Sequence, residues 1–163
     1  MKKLTATCFL MLFTASIFAG TVEYSYYFNA PIVKKTGNFQ AITFDNTFLT
    51  GKTGEPALPY QPVRLLLPPG EEAISVDYSF EEENILEGIF TIYPKQPSQP
   101  YSVCSDDIFH KSNEIYESQN AYPSVAWGKY STYFLNGHSF LLATFTPLTY
   151  IPASGKVSYF KKI

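Results

Sequence analysis

The sequence predicts an all-β domain, built as a single antiparallel β-sandwich of jelly-roll type. Two observations lead to this fold class. Apolar residues repeat mostly at every second position, the pattern of strands that bury one face, and Tyr and Phe supply nearly all of the 17% aromatic content. Short strands with turn signals between them are typical of sandwiches. No segment shows sustained helical spacing.

Three strands are predicted in the first half of the domain. Residues 22–28 alternate between apolar and polar side chains, and residues 74–80 repeat the pattern. In residues 85–92 apolar side chains fall on both faces, which favours a strand covered on both sides. The glutamates at positions 81–83 are interpreted as a solvated turn that follows the second strand and protects its end from pairing with other chains.

The second half contains two predicted hairpins. Asn136-Gly137 suits a type I′ turn, because both central residues of that turn need φ > 0. It would join a strand at residues 131–135 to a strand at residues 139–149. Ser154-Gly155 is a second turn signal, and it leads into a final strand at residues 156–161.

A proline-rich stretch separates the two halves. Pro94, Pro97 and Pro100 recur at every third position, which favours a stiff, extended, polyproline-like path with little internal hydrogen bonding. After it, residues 106–116 have the pattern of at most one or two helical turns, with an Asp at the N-cap.

The N-terminus has the features of a secretory signal peptide. Two lysines follow Met1, residues 4–18 are apolar apart from Thr, Ser and Cys, and Ala19 is small enough for a cleavage site. The apolar run is shorter than the roughly 20 residues that span a bilayer. The sequence therefore predicts a signal peptide over residues 1–19 and one exported, secreted or periplasmic, domain over residues 20–163, with no membrane span after cleavage.

Composition and motif spacing exclude several function classes. The formal net charge is −2 and no basic cluster exceeds two lysines, as at Lys161-Lys162, so we expect no binding to nucleic acid. His110, His138 and the two aspartates at positions 106–107 lack a metal-ligand spacing. No phosphate-binding loop or catalytic elbow motif is present. We therefore expect neither a metal nor a cofactor.

Cys104 is the one residue that suggests an enzyme. After signal cleavage it is the only cysteine, and it could form a catalytic dyad with His110 or His138, since dyad residues meet in space and not in sequence. No strand-to-helix elbow and no Gly-rich oxyanion loop accompanies it. We therefore favour a non-enzymatic domain and keep a Cys104 enzyme as an alternative.

A series of proline-containing boxes relates the chain to a known family. In order they are Gly-Glu-Pro-Ala-Leu-Pro at residues 54–59, an Arg-Leu-Leu-Leu-Pro-Pro strand end at 64–69, an Ile-rich strand closing on Pro94, Tyr122-Pro123, and Thr-Pro-Leu-Thr-Tyr-Ile-Pro at 146–152. Together and in this order they resemble the N-terminal propeptide of gingipain-type cysteine peptidases, over roughly residues 52–163.

The resemblance implies a function as well as a fold. It implies a prodomain that assists folding of a peptidase, in cis or in trans, and occludes its active-site cleft, while containing no catalytic Cys–His pair itself. In the arginine-specific members of that family, the loop after the matching strand offers a basic side chain to the specificity pocket of the peptidase. Here the matching residue is Lys95, and Pro94, Gln96 and Pro97 would contact the peptidase beside it.

A binding or structural module of the cell surface is the alternative within the non-enzymatic class. In that case the sandwich would present Tyr and Trp side chains to a glycan or a protein. Aromatic residues at alternating strand positions are more often core residues. Trp127 lies in an irregular segment before the hairpin, and it could either cover the core as a lid or lie at an interface.

Overall fold

The computed structural model describes residues 20–98 and 109–163. The predicted signal peptide at residues 1–19 lies outside the described residues, as do Cys104 and Pro100. The described chain is almost entirely β-structure, with 44% of residues in strands and 3% in helix. This composition confirms the all-β prediction.

Nine strands and one helical turn make up the described chain. They are β1 (Ile32–Thr36), β2 (Phe39–Thr43), β3 (Phe48–Thr50), β4 (Leu58–Leu67), β5 (Glu81–Leu86), α1 (Asn113–Tyr116), β6 (Ser131–Leu135), β7 (His138–Phe145), β8 (Leu148–Ile151) and β9 (Lys156–Lys162). They form a two-stranded ribbon β1-β2, a four-stranded sheet β3-β4-β7-β6 and a three-stranded sheet β5-β9-β8. Every strand pair is antiparallel, as a sandwich of this type requires.

The core contains residues from all three sheets. Phe145 on β7 contacts Phe28 edge to face with a centroid distance of 6.0 Å, and Phe44 contacts Tyr159 on β9 at 5.7 Å. Aromatic rings that meet at such angles add about 0.5–1.5 kcal/mol each beyond the area they bury. The buried cluster consists of Phe28, Ile42, Phe44, Leu58, Val63, Phe90, Ile92, Ala143, Phe145, Leu148, Tyr150, Val157 and Tyr159.

Both predicted hairpins are present. Asn136 and Gly137 have φ values of 50° and 80°, the left-handed values that a type I′ turn needs, and they connect β6 to β7. Gly155, with φ 66°, lies in the turn between β8 and β9. The predicted strand 139–149 is divided into β7 and β8, with Pro147, which has no N–H for a sheet ladder, buried between them.

Two predicted N-terminal strands are only partly present. In residues 22–28 the pairing is limited to the end of the segment, where Tyr26 and Ile163 exchange two backbone hydrogen bonds of 2.8 and 3.0 Å. Residues 74–80 keep the predicted alternation from Val76 onward, since Val76, Tyr78 and Phe80 are half-buried between exposed polar residues. Ile74, predicted on the same inward face, is 91% exposed. These residues form no strand, because aromatic packing and not a backbone ladder fixes them.

The prediction for residues 81–92 was wrong in two respects. The three glutamates are not a turn but the first half of β5, where Glu81 pairs with Lys162 and Glu83 with Phe160. The segment is also covered on one side only: Ile85 and Ile89 are exposed, whereas Ile92 is fully buried. The glutamates can belong to a strand because β5 is an edge strand, where charged side chains resist pairing with other chains.

The helical prediction for residues 106–116 is reduced to one turn, α1. Its start at residues 106–108 lies outside the described residues, and Tyr116 of α1 is buried, with its hydroxyl donating to the backbone oxygen of Ile92. Within the described ranges no helix is both long and apolar enough to cross a membrane.

Candidate functional site

The predicted peptidase-contacting segment leaves the core at Pro94. Pro94 is fully buried and lies opposite Pro56 in an isolated antiparallel bridge. Lys95 and Gln96 are half-buried, and Pro97 is exposed. Of these four residues, Pro94 therefore contributes to the packing of the domain, whereas the three that follow approach the solvent.

The backbone at Lys95 is held by the Gly-Glu-Pro box. The Lys95 N–H donates to the oxygen of Glu55, and the Gly54 N–H donates to the oxygen of Lys95, both at 2.8 Å. One step earlier, the Ala57 N–H donates to the oxygen of Tyr93 at 2.9 Å. This short ladder continues the line of β4 backwards, so the position of Lys95 is fixed relative to the four-stranded sheet.

Gln96 connects the outgoing and returning ends of the loop. Its amide nitrogen donates to the oxygens of Pro94 and His110, both at 2.9 Å, and its amide oxygen accepts from the His110 N–H at 3.0 Å. We call residues 94–112 the clamped loop, because Gln96 and His110 hold its outgoing and returning ends together. Residues 99–108 of this loop lie outside the described residues.

Gly54 joins both ends of the clamped loop to the sheet. Besides its bond to Lys95, its carbonyl oxygen accepts from the Ser112 N–H at 2.8 Å. Its φ is +85°, a value that disfavours residues with a side chain, and a Cβ there would lie 3.4 Å from the Ser112 nitrogen. A glycine is thus required at position 54, because its backbone conformation lets this one residue hydrogen-bond to both Lys95 and Ser112.

Neutral tyrosine hydroxyls support the base of the loop. The Tyr122 hydroxyl donates to a carboxylate oxygen of Glu55 at 2.8 Å. Burial first, and then this bond to an acceptor, raises the pKa of Tyr122 well above its ordinary value. Burial likewise raises the pKa of Tyr116. Beside the Glu55–Tyr122 contact lies a cavity of about 400 Å³.

The Lys95 ammonium makes no ion pair with any described residue. Among the described residues the one ion pair joins Lys162 to Glu81, so no described carboxylate neutralises Lys95. The nearby Lys111 ammonium instead lies 4.8 Å from the centre of the Tyr116 ring. A lysine on a fixed backbone can form a charge-assisted contact with an acidic group of another molecule.

The catalytic and metal alternatives gain no support from the described residues. Cys104 lies outside them. His110 belongs to the base of the clamped loop, whereas His138 begins β7, where it contacts Phe140 edge to face at 6.2 Å. In the two described ranges no group of three or more His, Cys, Asp or Glu side chains is arranged to hold a metal.

Trp127 is a lid over the aromatic segment that precedes β5. Its ring stacks on Tyr78 with a centroid distance of 5.7 Å and an interplanar angle of 16°, and it contacts Phe80 at 6.2 Å. About half of its surface stays exposed. Of the two roles that the sequence left open, Trp127 therefore has the packing role. The exposed half of its surface is accessible to solvent.

Comparison with known proteins identifies the fold. No family model matches the chain, and no curated protein matches its sequence. Solved structures match the chain, among them two with a probability of 1.00. One is the complex of Porphyromonas gingivalis RgpB pro- and mature domains, with a TM-score of 0.71, 17% identity, and coverage of 85% of this chain and 74% of that chain. This chain has a gingipain prodomain-like fold.

The second match concerns the zymogenic latency of gingipain K from P. gingivalis. Its TM-score is 0.66 and its identity 19%, and the match covers 85% of this chain and 81% of that chain. Each match therefore covers about three quarters or more of the matched chain. The resemblance inferred from the proline boxes is confirmed at the level of the prodomain fold.

Sequence reasoning missed how the loop is held. It selected Gln96 as a neighbour of Lys95, but not as the residue that joins the two ends of the loop, and it did not select His110 or Ser112 for this role. A glycine at the start of the Pro box was the one available signal, since an isolated glycine often marks a positive φ. The hydrogen-bond partners of that glycine lie some 40 and 60 residues further along the chain and leave no local pattern.

Proposed function

We propose that this chain is a propeptide-like domain that binds a gingipain-type cysteine peptidase, assists its folding and occludes its active-site cleft. The observation that carries the proposal is the fold, which matches over 85% of the chain a solved structure of a gingipain prodomain in complex with its mature domain. The domain itself is non-enzymatic and acts after export, on a peptidase in cis in a longer precursor or in trans.

The outgoing end of the clamped loop, from Pro94 to Pro97, supplies the occluding element. A segment that enters a peptidase cleft must be extended and must resist cleavage. Pro94 and Pro97 restrict the backbone on either side of Lys95 and Gln96, and the Gly54–Glu55 ladder fixes Lys95 before any partner arrives. Ordering entropy that is already lost in the free domain is not lost again on binding, so this rigidity raises affinity.

Lys95 is the group we assign to the specificity pocket of the peptidase. If the pocket is acidic, the ammonium makes a charge-assisted contact there, and loss of one partner of such a contact costs about 2–5 kcal/mol. Lys95→Ala should therefore weaken inhibition at least tenfold, which corresponds to about 1.4 kcal/mol. Lys34→Ala, which removes an exposed lysine on β1, is the matched control and should leave inhibition unchanged.

The experiment is a steady-state inhibition assay with the purified exported chain. The probes are the mature domains of RgpB and gingipain K and a gingipain-type peptidase from the same organism, with papain as the unrelated cysteine peptidase. We expect competitive inhibition of at least one gingipain-type enzyme and none of papain. Absence of inhibition and of binding across all three gingipain-type enzymes would contradict the proposed function.

A further inference from the structure

A cavity of about 480 Å³ lies between the N-terminal segment, the turn that joins β2 to β3, and β4. Its volume falls within the roughly 300–1,000 Å³ that is usual for small-ligand sites. Eleven residues line it, and five of these are Tyr or Phe. We call this cavity the tyrosine pocket, and its lining includes Tyr24, Tyr26, Asn29, Asp45, Asn46 and Gln61.

Aromatic rings supply the apolar part of the lining. Tyr24 is 62% exposed and contacts Tyr26 edge to face with a centroid distance of 4.9 Å. Tyr26 in turn contacts Phe145 of the core at 5.2 Å, and its backbone exchanges two hydrogen bonds with Ile163. The exposed Tyr24 ring therefore rests on a ring that the core and β9 hold in place.

A fixed turn supplies most of the polar part of the lining. Asp45 and Asn46 are its central residues, and both are exposed. The Thr47 N–H and the Thr47 hydroxyl donate to the oxygen of Phe44 at 3.3 and 2.8 Å, which closes the turn. Gln61 of β4, half-buried, adds an amide from the neighbouring strand. The pocket thus combines an aromatic wall with planar polar groups whose backbone positions are set by hydrogen bonds.

The charge of the lining restricts the class of ligand. Among the described residues that line the pocket none is Lys, Arg or His, and Asp45 is the one carboxylate. Phosphates and carboxylates are bound most strongly through cationic donors, so an anionic ligand is disfavoured. A cationic ligand would find one exposed carboxylate, and exposed ion pairs contribute little. A purely apolar ligand would bury the polar groups without hydrogen bonds, which is costly. The lining therefore favours an uncharged ligand that has hydrogen-bonding groups beside an apolar surface.

We propose that the tyrosine pocket binds a neutral sugar unit of an oligosaccharide. A pyranose ring has a face of C–H groups, which packs on an aromatic ring such as Tyr24, and a rim of hydroxyls. A carboxylate or an amide presents two polar atoms side by side to neighbouring hydroxyls, the carboxylate as acceptor and the amide as donor and acceptor; Asp45, Asn46 and Gln61 supply these groups. The proposal is independent of peptidase binding, because the pocket shares no residue with the segment Pro94–Pro97.

The test is an NMR titration of the isotope-labelled exported chain with neutral oligosaccharides. Maltohexaose, cellohexaose and mannohexaose are added separately, each up to about 10 mM, which extends to weak specific binding. We expect at least one of them to cause saturable shifts of the amide signals of Asn29, Asn46 and Gln61. Hexagalacturonate, an anionic sugar, and trialanine, a neutral peptide, are the comparison probes, and both should bind at least tenfold more weakly than that sugar.

Two pairs of matched substitutions locate the binding site. Tyr24→Ala removes the exposed ring from the pocket, whereas Tyr133→Ala removes a tyrosine of β6 that is 54% exposed and lies outside it. Asn46→Gly removes the side-chain amide at φ +60° and suits that backbone conformation, and Asn136→Gly does the same at φ +50° in the turn between β6 and β7. We expect the dissociation constant of the sugar to rise at least tenfold for Tyr24→Ala and at least threefold for Asn46→Gly. The two control variants should change it less than twofold.

Each outcome decides the proposal. Saturable shifts at the pocket that weaken in Tyr24→Ala and Asn46→Gly but not in the control variants support it. Absence of saturable shifts with all three neutral sugars would overturn it, and so would equal sugar binding by the wild type and both pocket variants. Stronger binding of trialanine than of any sugar would assign the pocket to a peptide instead. If Tyr24→Ala does not fold, Asn46→Gly and its control Asn136→Gly decide between these outcomes.

Discussion

Replacing Gln96 by Ala should release the two ends of the clamped loop without unfolding the domain. The substitution removes both hydrogen bonds between Gln96 and His110 and the bond from the Gln96 amide to the oxygen of Pro94. The core beneath is unchanged, because Pro94 remains buried and Lys95 keeps its backbone bonds to the Gly-Glu-Pro box. The effect is therefore local.

The free-energy change expected for Gln96→Ala follows from the two hydrogen bonds between Gln96 and His110. A typical intramolecular hydrogen bond contributes about 0.5–1.5 kcal/mol net. The bonds between Gln96 and His110 are exposed, so the lower half of that range applies and together they contribute about 1.5 kcal/mol. Opening of the His110 amide should become roughly tenfold easier, since 1.4 kcal/mol corresponds to a factor of ten.

Amide hydrogen exchange measured by NMR is the assay, because it reports local opening residue by residue. In Gln96→Ala the His110 amide should exchange about ten times faster, whereas the Ser112 amide, which donates to Gly54, should change less than threefold. Gln96→Glu keeps an acceptor for the His110 amide but places an acceptor oxygen against the carbonyl oxygens of Pro94 and His110, so it should retain only part of the protection. Gln61→Ala, whose amide bonds only to the adjacent Pro62 oxygen, is the control. Equal His110 exchange in Gln96→Ala and the wild type would refute the clamp.

Three further predictions concern the fold. Gly155→Ala should lower the free energy of unfolding in urea by about 2–5 kcal/mol, because at φ +66° the new Cβ would lie 2.9 Å from the backbone nitrogen and oxygen of Phe90. The control Gly37→Ala, at φ +61° in open space, should lower it by only about 1 kcal/mol. Gly137→Val should lower stability by about 1 kcal/mol or more and Gly137→Asn much less; equal melting temperatures would contradict the turn. Burial raises the pKa of Tyr122 above 10.0, so above pH 10 the Tyr122 hydroxyl loses its proton first in the unfolded chain. The contribution of Tyr122 to the unfolding free energy therefore falls by about 1.4 kcal/mol per pH unit. Tyr122→Phe should reduce the decline of the unfolding free energy with pH by the same amount, and an unchanged slope would contradict the assignment.

The hairpins were predictable because their signals are local. A type I′ turn needs two residues that accept positive φ, and Asn136-Gly137 states that requirement within two positions. Period-2 alternation identified part of the core-facing side chains: Tyr78 and Phe80 are half-buried although no strand forms there, whereas Ile74 is exposed. Alternation reports which face is buried and not whether a neighbouring strand is available for pairing.

Strand pairing and the loop base could not be predicted because they depend on distant residues. The glutamates of β5 looked like a turn, since charge on an edge strand and charge in a loop give the same local pattern. The bonds that hold Lys95 come from a box 40 residues earlier, and the returning end is held through Gln96 and Ser112. The family resemblance was enough to select the segment around Lys95. The hydrogen bonds that hold this segment could be identified only from the structure.

The most direct test of the account is whether the chain and a small active-site ligand can bind the peptidase together. A peptide aldehyde is held at 100 times its dissociation constant on a gingipain-type peptidase that the chain inhibits, and the affinity of the chain is measured by calorimetry. If the clamped loop occupies the cleft, binding is mutually exclusive and the apparent dissociation constant of the chain rises about 100-fold. An unchanged dissociation constant, with all three components in one complex, would contradict occlusion of the active site.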